Sequence, residues 1–453
     1  MKNRFLALAV VALFAPAAKA FASGPADASA KIEKPSHFKF YGFIRNYFAF
    51  DSRESKSGTK DLFYYIPKDE ALNAKGEDMN ANPTFRFLAI TSRVGLDVKD
   101  YQFGKTKVGA KIETDFYCMN GNVAVLRLRQ AYATLGWDGL GKDGKQSTSL
   151  KIGQAWHPIA ADQPYVIDLE TGTPFNPFSR TPQVMLDHNF SKNFTLTGGF
   201  IWQMQYLSVG PSYNKDKSKY ESKASDDYIK YGCTPEFYAG VTFKSNNGFT
   251  GRVGMDVLSI KPRWRNSDGD KVDDRITTVS PYVYAQYSKD AFAVNAKVVY
   301  ASAGEHFNML SGYGVTDVNS DGSWDYAPLH STASYLSVKY GRKLQVQGMI
   351  GHMKNLGTSK SLYEDPANPG YTSTDNVYIS GNGFHNLNQI IRVTPTVVYN
   401  LGKLSFGLEY DITSAQYGKY DVAKHVNSSN GLVDGDLHWV TNHRLLGMVK
   451  FTF

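Results

Sequence analysis

LLGMVKFTF, residues 445–453, alternates to its last position. Leu445, Gly447, Val449, Phe451 and Phe453 fall on one face of an extended segment; Leu446, Met448, Lys450 and Thr452 fall on the other. Period-two alternation marks a strand with two different surroundings. A soluble domain usually ends in a frayed polar segment, so a strand that runs to the chain's last residue asks for a partner.

Working back from this segment, the same alternation recurs. Sixteen stretches carry it, near 38–50, 84–98, 105–118, 123–137, 148–156, 181–190, 194–206, 233–244, 249–260, 276–288, 291–302, 332–341, 344–352, 388–400, 404–413 and 443–453. Lengths of about ten residues suit a tilted strand crossing a bilayer. The connections sort into two kinds. Short ones lie at Ser191–Asn193, Ser245–Gly248, Lys289–Asp290, Arg342–Lys343 and Leu401–Lys403, with 99–104 and 138–147 in equivalent places. Long polar ones lie at 51–83, 157–180, 207–232, 261–275, 303–331, 353–387 and 414–442. Only 119–122 breaks the order, being short where a long loop is due. Strands joined by short turns are antiparallel neighbours. A meander therefore gathers short turns on one rim and long loops on the other. The fold class this predicts is all-β: a 16-stranded antiparallel transmembrane β-barrel over 38–453, with short periplasmic turns and long extracellular loops.

The first residues agree. MKNRFLALAVVALFAPAAKAFA has Lys2 and Arg4, an apolar stretch from Phe5 to Phe14, then small residues. It reads as a signal peptide over 1–20, with cleavage possible up to 22. Its apolar stretch is too short to span a membrane as a helix. Removing it takes Lys2, Arg4 and Lys19, and no acid, from a formal net charge of +8. The mildly basic remainder has no basic run, which argues against a nucleic-acid partner. With 29 Tyr, 27 Phe and 6 Trp the chain has the aromatic residues that interfacial girdles need. Two cysteines, Cys118 and Cys233, are too few for a disulfide scaffold, and their pairing is not legible from sequence.

A buried arginine against hydrocarbon costs about 2–4 kcal/mol at mid-membrane, which fixes the faces. Val108, Ala110, Ile112, Thr114 and Phe116 look out, and Lys107, Lys111, Glu113 and Asp115 look in. Leu126 and Leu128 look out; Arg127 and Arg129 look in. Strands one to four then collect Arg45, Arg93, Lys111, Arg127 and Arg129 into a basic, pore-lining arc, partly neutralised by Glu113 and Asp115. Sixteen strands leave room for an aqueous channel. Loop 157–180, HPIAADQPYVIDLETGTPFNPFSR, has too many apolar residues for an exposed loop. It is expected to fold inward as a constriction loop. Its Asp162, Asp168 and Glu170 would oppose the arc and set up a transverse field.

The ordered stretches TFRFLAITSRVGLDV, KVGAKIETDFY, VLRLRQAYATLGW and LKIGQAWHPI, within 84–185, resemble the DcaP-like trimeric outer-membrane porins. That resemblance implies pore-lining roles for Arg93, Arg127 and Arg129, with Gln154-Ala155-Trp156 leading into the constriction loop. It also implies a homotrimer that passes small anionic, dicarboxylate-like solutes. The clear match covers roughly residues 38–185. The family's founding type has an N-terminal coiled-coil segment, for which the roughly seventeen residues before strand one leave no room. Phosphate-selective porins are a second, weaker resemblance. The alternating aromatic end at Phe451 and Phe453 resembles the C-terminal signal of bacterial outer-membrane proteins, which implies recognition by the barrel-insertion machinery through Phe453. The expected location is the outer membrane of a Gram-negative bacterium, in contact with its lipid.

Other chemistry is thin. Asp317, Asn319, Asp321 and Asp325 take positions 1, 3, 5 and 9 of a calcium-loop pattern, with Gly322 at position 6, but position 12 is Pro328. A structural calcium ion is the one metal this suggests, and no other cofactor is expected. No GxSxG or HExxH motif occurs, so the chain is read as a porin and not an enzyme. The alternatives are an outer-membrane barrel hydrolase and a surface adhesin.

Overall fold

A sheet that is apolar on one face and polar on the other can satisfy every strand edge only by closing on itself. The chain does so. A computed structural model describes residues 37–169, 171–214, 216, 219–363, 377–379, 384–419 and 430–453. Its wall is formed by β1 (Phe38–Asp51), β2 (Thr84–Leu88, resuming as Arg93–Phe103), β3 (Thr106–Asp115), β4 (Arg127–Leu140), β5 (Gln146–Trp156), β6 (Arg180–Asn189), β7 (Phe194–Ile201) and β8 (Glu236–Lys244). It continues with β9 (Phe249–Ile260), β10 (Ile276–Lys289), β11 (Phe292–Ser302), β12 (Trp324–Gly341), β13 (Leu344–Thr358), β14 (Leu387–Leu401), β15 (Leu404–Lys419) and β16 (Gly435–Thr452). Each strand pairs antiparallel with the next. β1 pairs with β16 from Phe43↔Thr452 to Asp51↔Arg444, and Gly42 and Phe453 exchange backbone hydrogen bonds at 3.3 and 3.0 Å. The C-terminal strand thus finds its partner in the first, and the ring of sixteen is closed.

Several boundaries differ from the sequence reading. β12, β13, β15 and β16 run six to eight residues further toward the long-loop rim than alternation suggested, because the loop residues beyond them keep pairing. Gly312–Val318 hydrogen-bonds to the start of β12, for example. β4 starts at Arg127; the residues before it form a small separate hairpin, Met119–Asn120 against Val123–Ala124. β8 starts at Glu236 because Asp227–Gly232 is a short helix. Cys118 and Cys233 are both free and exposed.

Apolar side chains cover the outside. Phe48 stacks on Phe87 at 4.4 Å, and Leu336, Ile350 and Val393 lie side by side on three strands. Near the short turns Phe243, Phe249, Phe292, Tyr340, Tyr399 and Phe406 are all exposed, as an aromatic girdle at a bilayer surface requires. The buried core lies inside the ring. Loop 157–180 contributes Ile159, Phe175 and Phe178 to it, loop 51–83 contributes Leu62 to Ile66, and segment 303–315 is buried throughout.

The two faces give a direct test. Ile350→Arg, near mid-height of β13 on the outer face, is expected to lower stability by about 2–4 kcal/mol in lipid vesicles. Gln347→Arg, on the lumenal face of the same strand, should change it little. Urea unfolding of both variants in vesicles measures the difference.

Candidate functional site

Neighbouring strands with alternating charge bring their lumenal residues into contact, and the register decides the partners. In the β2–β3 ladder Arg93 lies opposite Asp115, and in the β3–β4 ladder Asp115 lies opposite Arg127. Arg127 grips Asp115 through Nε and Nη2, both at 3.0 Å. Arg129 donates to Glu113 Oε1 at 2.9 Å and to Asp115 Oδ2 at 2.7 Å. Arg93 Nη1 lies 3.6 Å from Glu113, whose other oxygen accepts from the Tyr41 hydroxyl at 3.1 Å. Each carboxylate is shared between two guanidinium groups, so the pair spaces the arginines without cancelling them. Arg45 donates to Thr91 Oγ1 at 3.1 Å and lies 4.8 Å from the Phe43 and Tyr47 rings. Lys111 points elsewhere, to Asp97 at 2.6 Å and the Tyr41 oxygen at 2.8 Å, and does not border the cavity described next.

The arc borders a cavity of about 640 Å³. Sequence reasoning missed two of its cations. Arg180, at the end of the constriction loop, lies 4.7 Å from the Trp156 ring and 5.1 Å from that of Phe178, and its Nη1 has no hydrogen-bond partner among the described residues. Lys450 enters from β16. Its place opposite Phe451 and Val449 in the terminal alternation was the signal for it. Six cations therefore border the cavity (Arg45, Arg93, Arg127, Arg129, Arg180 and Lys450) against three acids, Glu113, Asp115 and Asp168.

Loop 157–180 forms the facing side and is held by the opposite wall. Lys297 of β11, 1% exposed, donates to Ile159 O, Asp162 O and Asn176 Oδ1 at 2.6–2.7 Å. Glu409 of β15 accepts the amides of Ile167 and Asp168 at 2.8 and 3.0 Å. Arg392 of β14 donates to Thr173 O at 3.0 Å. Gly351 of β13 makes room for the Phe175 ring: a Cβ there would lie 2.3 Å from it.

The loop's acids do not form the expected row against the arc. Asp162 is ion-paired with Arg252 of β9, on another side of the lumen. Asp168 borders the cavity but its carboxylate lies 3.3 Å from Arg444 of β16. Glu170 lies outside the described residues. Asp162 and Asp168 answer lumenal cations of other strands, because a charge drawn out of water is costly unless it is paired or hydrogen-bonded.

Loop 51–83 also enters the lumen, a fold-back the sequence reading overlooked although LFYYI at 62–66 announces it. Tyr65 O accepts from Arg392, and Asp61 O from Arg444 at 2.8 Å. Burial alone would raise the Asp61 carboxyl, but a hydrogen bond from Ser57 and the Arg86 guanidinium, both at 2.6 Å, hold it below the ordinary carboxylate value. The calcium candidates lie on the hairpin between Gly312–Val318 and the start of β12. Asp317 and Asp325 are cross-strand partners, Asp321 accepts from Ser323 N and Oγ, and Asn319 donates to Ser323 Oγ at 3.0 Å.

No protein-family model and no curated protein matches the sequence. Among solved structures it is similar to the outer membrane channel DcaP of Acinetobacter baumannii, with 17% identity, a TM-score of 0.60, and coverage of 92% of this chain and 97% of that one. The chain has the fold of that channel. It also aligns with an anion-selective porin from Comamonas acidovorans, at 9% identity and a TM-score of 0.49 over 92% of this chain and 99% of that one.

The anchoring of the loop predicts a measurable loss. Lys297→Met strands two buried acceptors, Ile159 O and Asn176 Oδ1, each costing about 1–3 kcal/mol, while Asp162 O keeps the Tyr335 hydroxyl at 3.0 Å. The variant is expected to lose about 2 kcal/mol or more, read as a lower midpoint for heat-induced unfolding of the barrel in detergent.

Proposed function

We propose that the chain is an outer-membrane porin, a passive diffusion channel that prefers small anionic solutes of the dicarboxylate class. The observation that supports this reading is the six-to-three excess of cations around the cavity. Arg45 and Arg180 carry the preference furthest, since neither makes an ion pair among the described residues. Cations on separate strands suit a solute with two carboxylates, one for each side of the cavity. In this reading the protein is not an enzyme: solutes pass and no bond changes. It sits in the outer membrane of a Gram-negative bacterium as a homotrimer through its barrel walls, having been inserted by machinery that reads Phe453. No cofactor takes part, and calcium at 317–325 would be a structural ion.

A unit charge about 4 Å from a permeating ion in water contributes about 1 kcal/mol. Arg180→Ser is therefore expected to lower the anion-to-cation permeability ratio about five-fold in a planar bilayer under a salt gradient. Arg127→Ser with Arg129→Ser should lower it further, because Glu113 and Asp115 are then left with fewer partners. Both effects should shrink at high salt. Unchanged reversal potentials in both variants, or no stepwise conductance at all, would falsify the proposal.

A further inference from the structure

Away from the arc, where the constriction loop leaves β5, four titratable side chains meet. His157 opens the loop, Glu236 begins β8, Asp256 lies in β9, and His306 belongs to the buried segment that follows β11. None is more than 3% exposed. The Phe307 ring covers both histidines, at 4.8 Å from His157 and 3.9 Å from His306.

The hydrogen bonds divide these groups into two sets. His157 Nδ1 accepts the Ile159 amide at 3.2 Å. A ring nitrogen that accepts carries no proton, so the proton of His157 sits on Nε2, and Glu236 Oε1 accepts it at 2.6 Å. His157 is neutral in this arrangement and orients Glu236. The atoms left over have no hydrogen-bond partner among the described residues: Glu236 Oε2, Asp256 Oδ1 and both ring nitrogens of His306. His306 Nε2 lies 3.4 Å from Glu236 Oε2 and 3.8 Å from Asp256 Oδ2. Ligands of a four-coordinate zinc ion sit about 2.0–2.2 Å from the metal and so about 3.3–3.6 Å from one another. His306 Nε2 and Glu236 Oε2 are spaced as such ligands are, and Asp256 Oδ2 lies slightly further out.

Charge points the same way. The ion-pair partners of Glu236 and Asp256 among the described residues are His157 and His306 alone. With His157 neutral, a protonated His306 balances one of these two carboxylates, and buried Glu305 adds a third negative group beside it. A divalent cation balances both and leaves His306 its lone pair.

We propose that Glu236, Asp256 and His306 bind a divalent transition-metal ion, for which zinc fits the mixed imidazole and carboxylate donors. His157 acts as a positioning residue that holds Glu236 from behind. The ion joins β8, β9 and the segment after β11, and through His157 it fixes the root of the constriction loop.

The test refolds the full chain from denaturant into detergent with excess zinc chloride, dialyses it against metal-free buffer and counts zinc by mass spectrometry. About one zinc per wild-type chain is expected. His306→Ala and Asp256→Asn should carry none above background, and His157→Ala should bind about 10–100-fold more weakly. Wild-type protein that retains no zinc, or His306→Ala that retains as much as wild type, overturns the proposal. A second reading needs only the wild-type chain. Cobalt(II) in place of zinc should give the visible absorption of a four- or five-coordinate ion, which zinc then bleaches. A featureless visible spectrum at saturating cobalt overturns the proposal as well.

Discussion

Hydrocarbon offers a backbone amide nothing to bond to, and the rest of this molecule follows from that. An open sheet in lipid leaves two rows of unsatisfied N–H and C=O groups. Here the rows meet between Phe43–Asp51 and Arg444–Thr452. Closure then divides all alternating residues into two populations. Those facing out need only be apolar, while those facing in meet water, loops and each other.

A ring of sixteen strands is wider than its own side chains can fill. The chain uses its loops to fill part of the difference. Loop 157–180, the Leu62–Ile66 stretch and the segment after β11 supply the apolar core, and they bring backbone carbonyls that need donors. Lys297, Arg392 and Arg444, each at most 1% exposed, supply those donors from the wall. These buried cations are tolerable because oriented carbonyls and carboxylates surround them. The side of the lumen lined by β1 to β4 is left to the arginine arc, where the shared carboxylates of Glu113 and Asp115 keep the guanidinium groups apart.

The wall was legible in the sequence because its signal is local. Each strand announces itself by alternation, and the turns by their length. The arc was legible for the same reason: antiparallel neighbours place Arg93, Asp115 and Arg127 side by side once the turns are known. The interior was less so. Which lumenal cation Asp162 or Asp168 answers depends on how a loop crosses the ring, and no periodicity encodes that. Arg180 looked like the end of a loop until the loop's path placed it over Trp156. Glu236, Asp256, His157 and His306 come from four separate segments with no motif spacing, so only the folded chain brings them together.

The contact between Phe175 and Gly351 separates two properties that are often discussed as one. Gly351 belongs to the wall that anchors the loop, not to the arginine wall, and it lets the Phe175 ring lie against backbone. Any side chain there would push the loop toward the arginines and narrow the gap without altering a single charge. A near-isosteric replacement such as Glu113→Gln in β3 would change the charge and leave the gap nearly as it is. The width of the gap and the charge around it are therefore set by different strands.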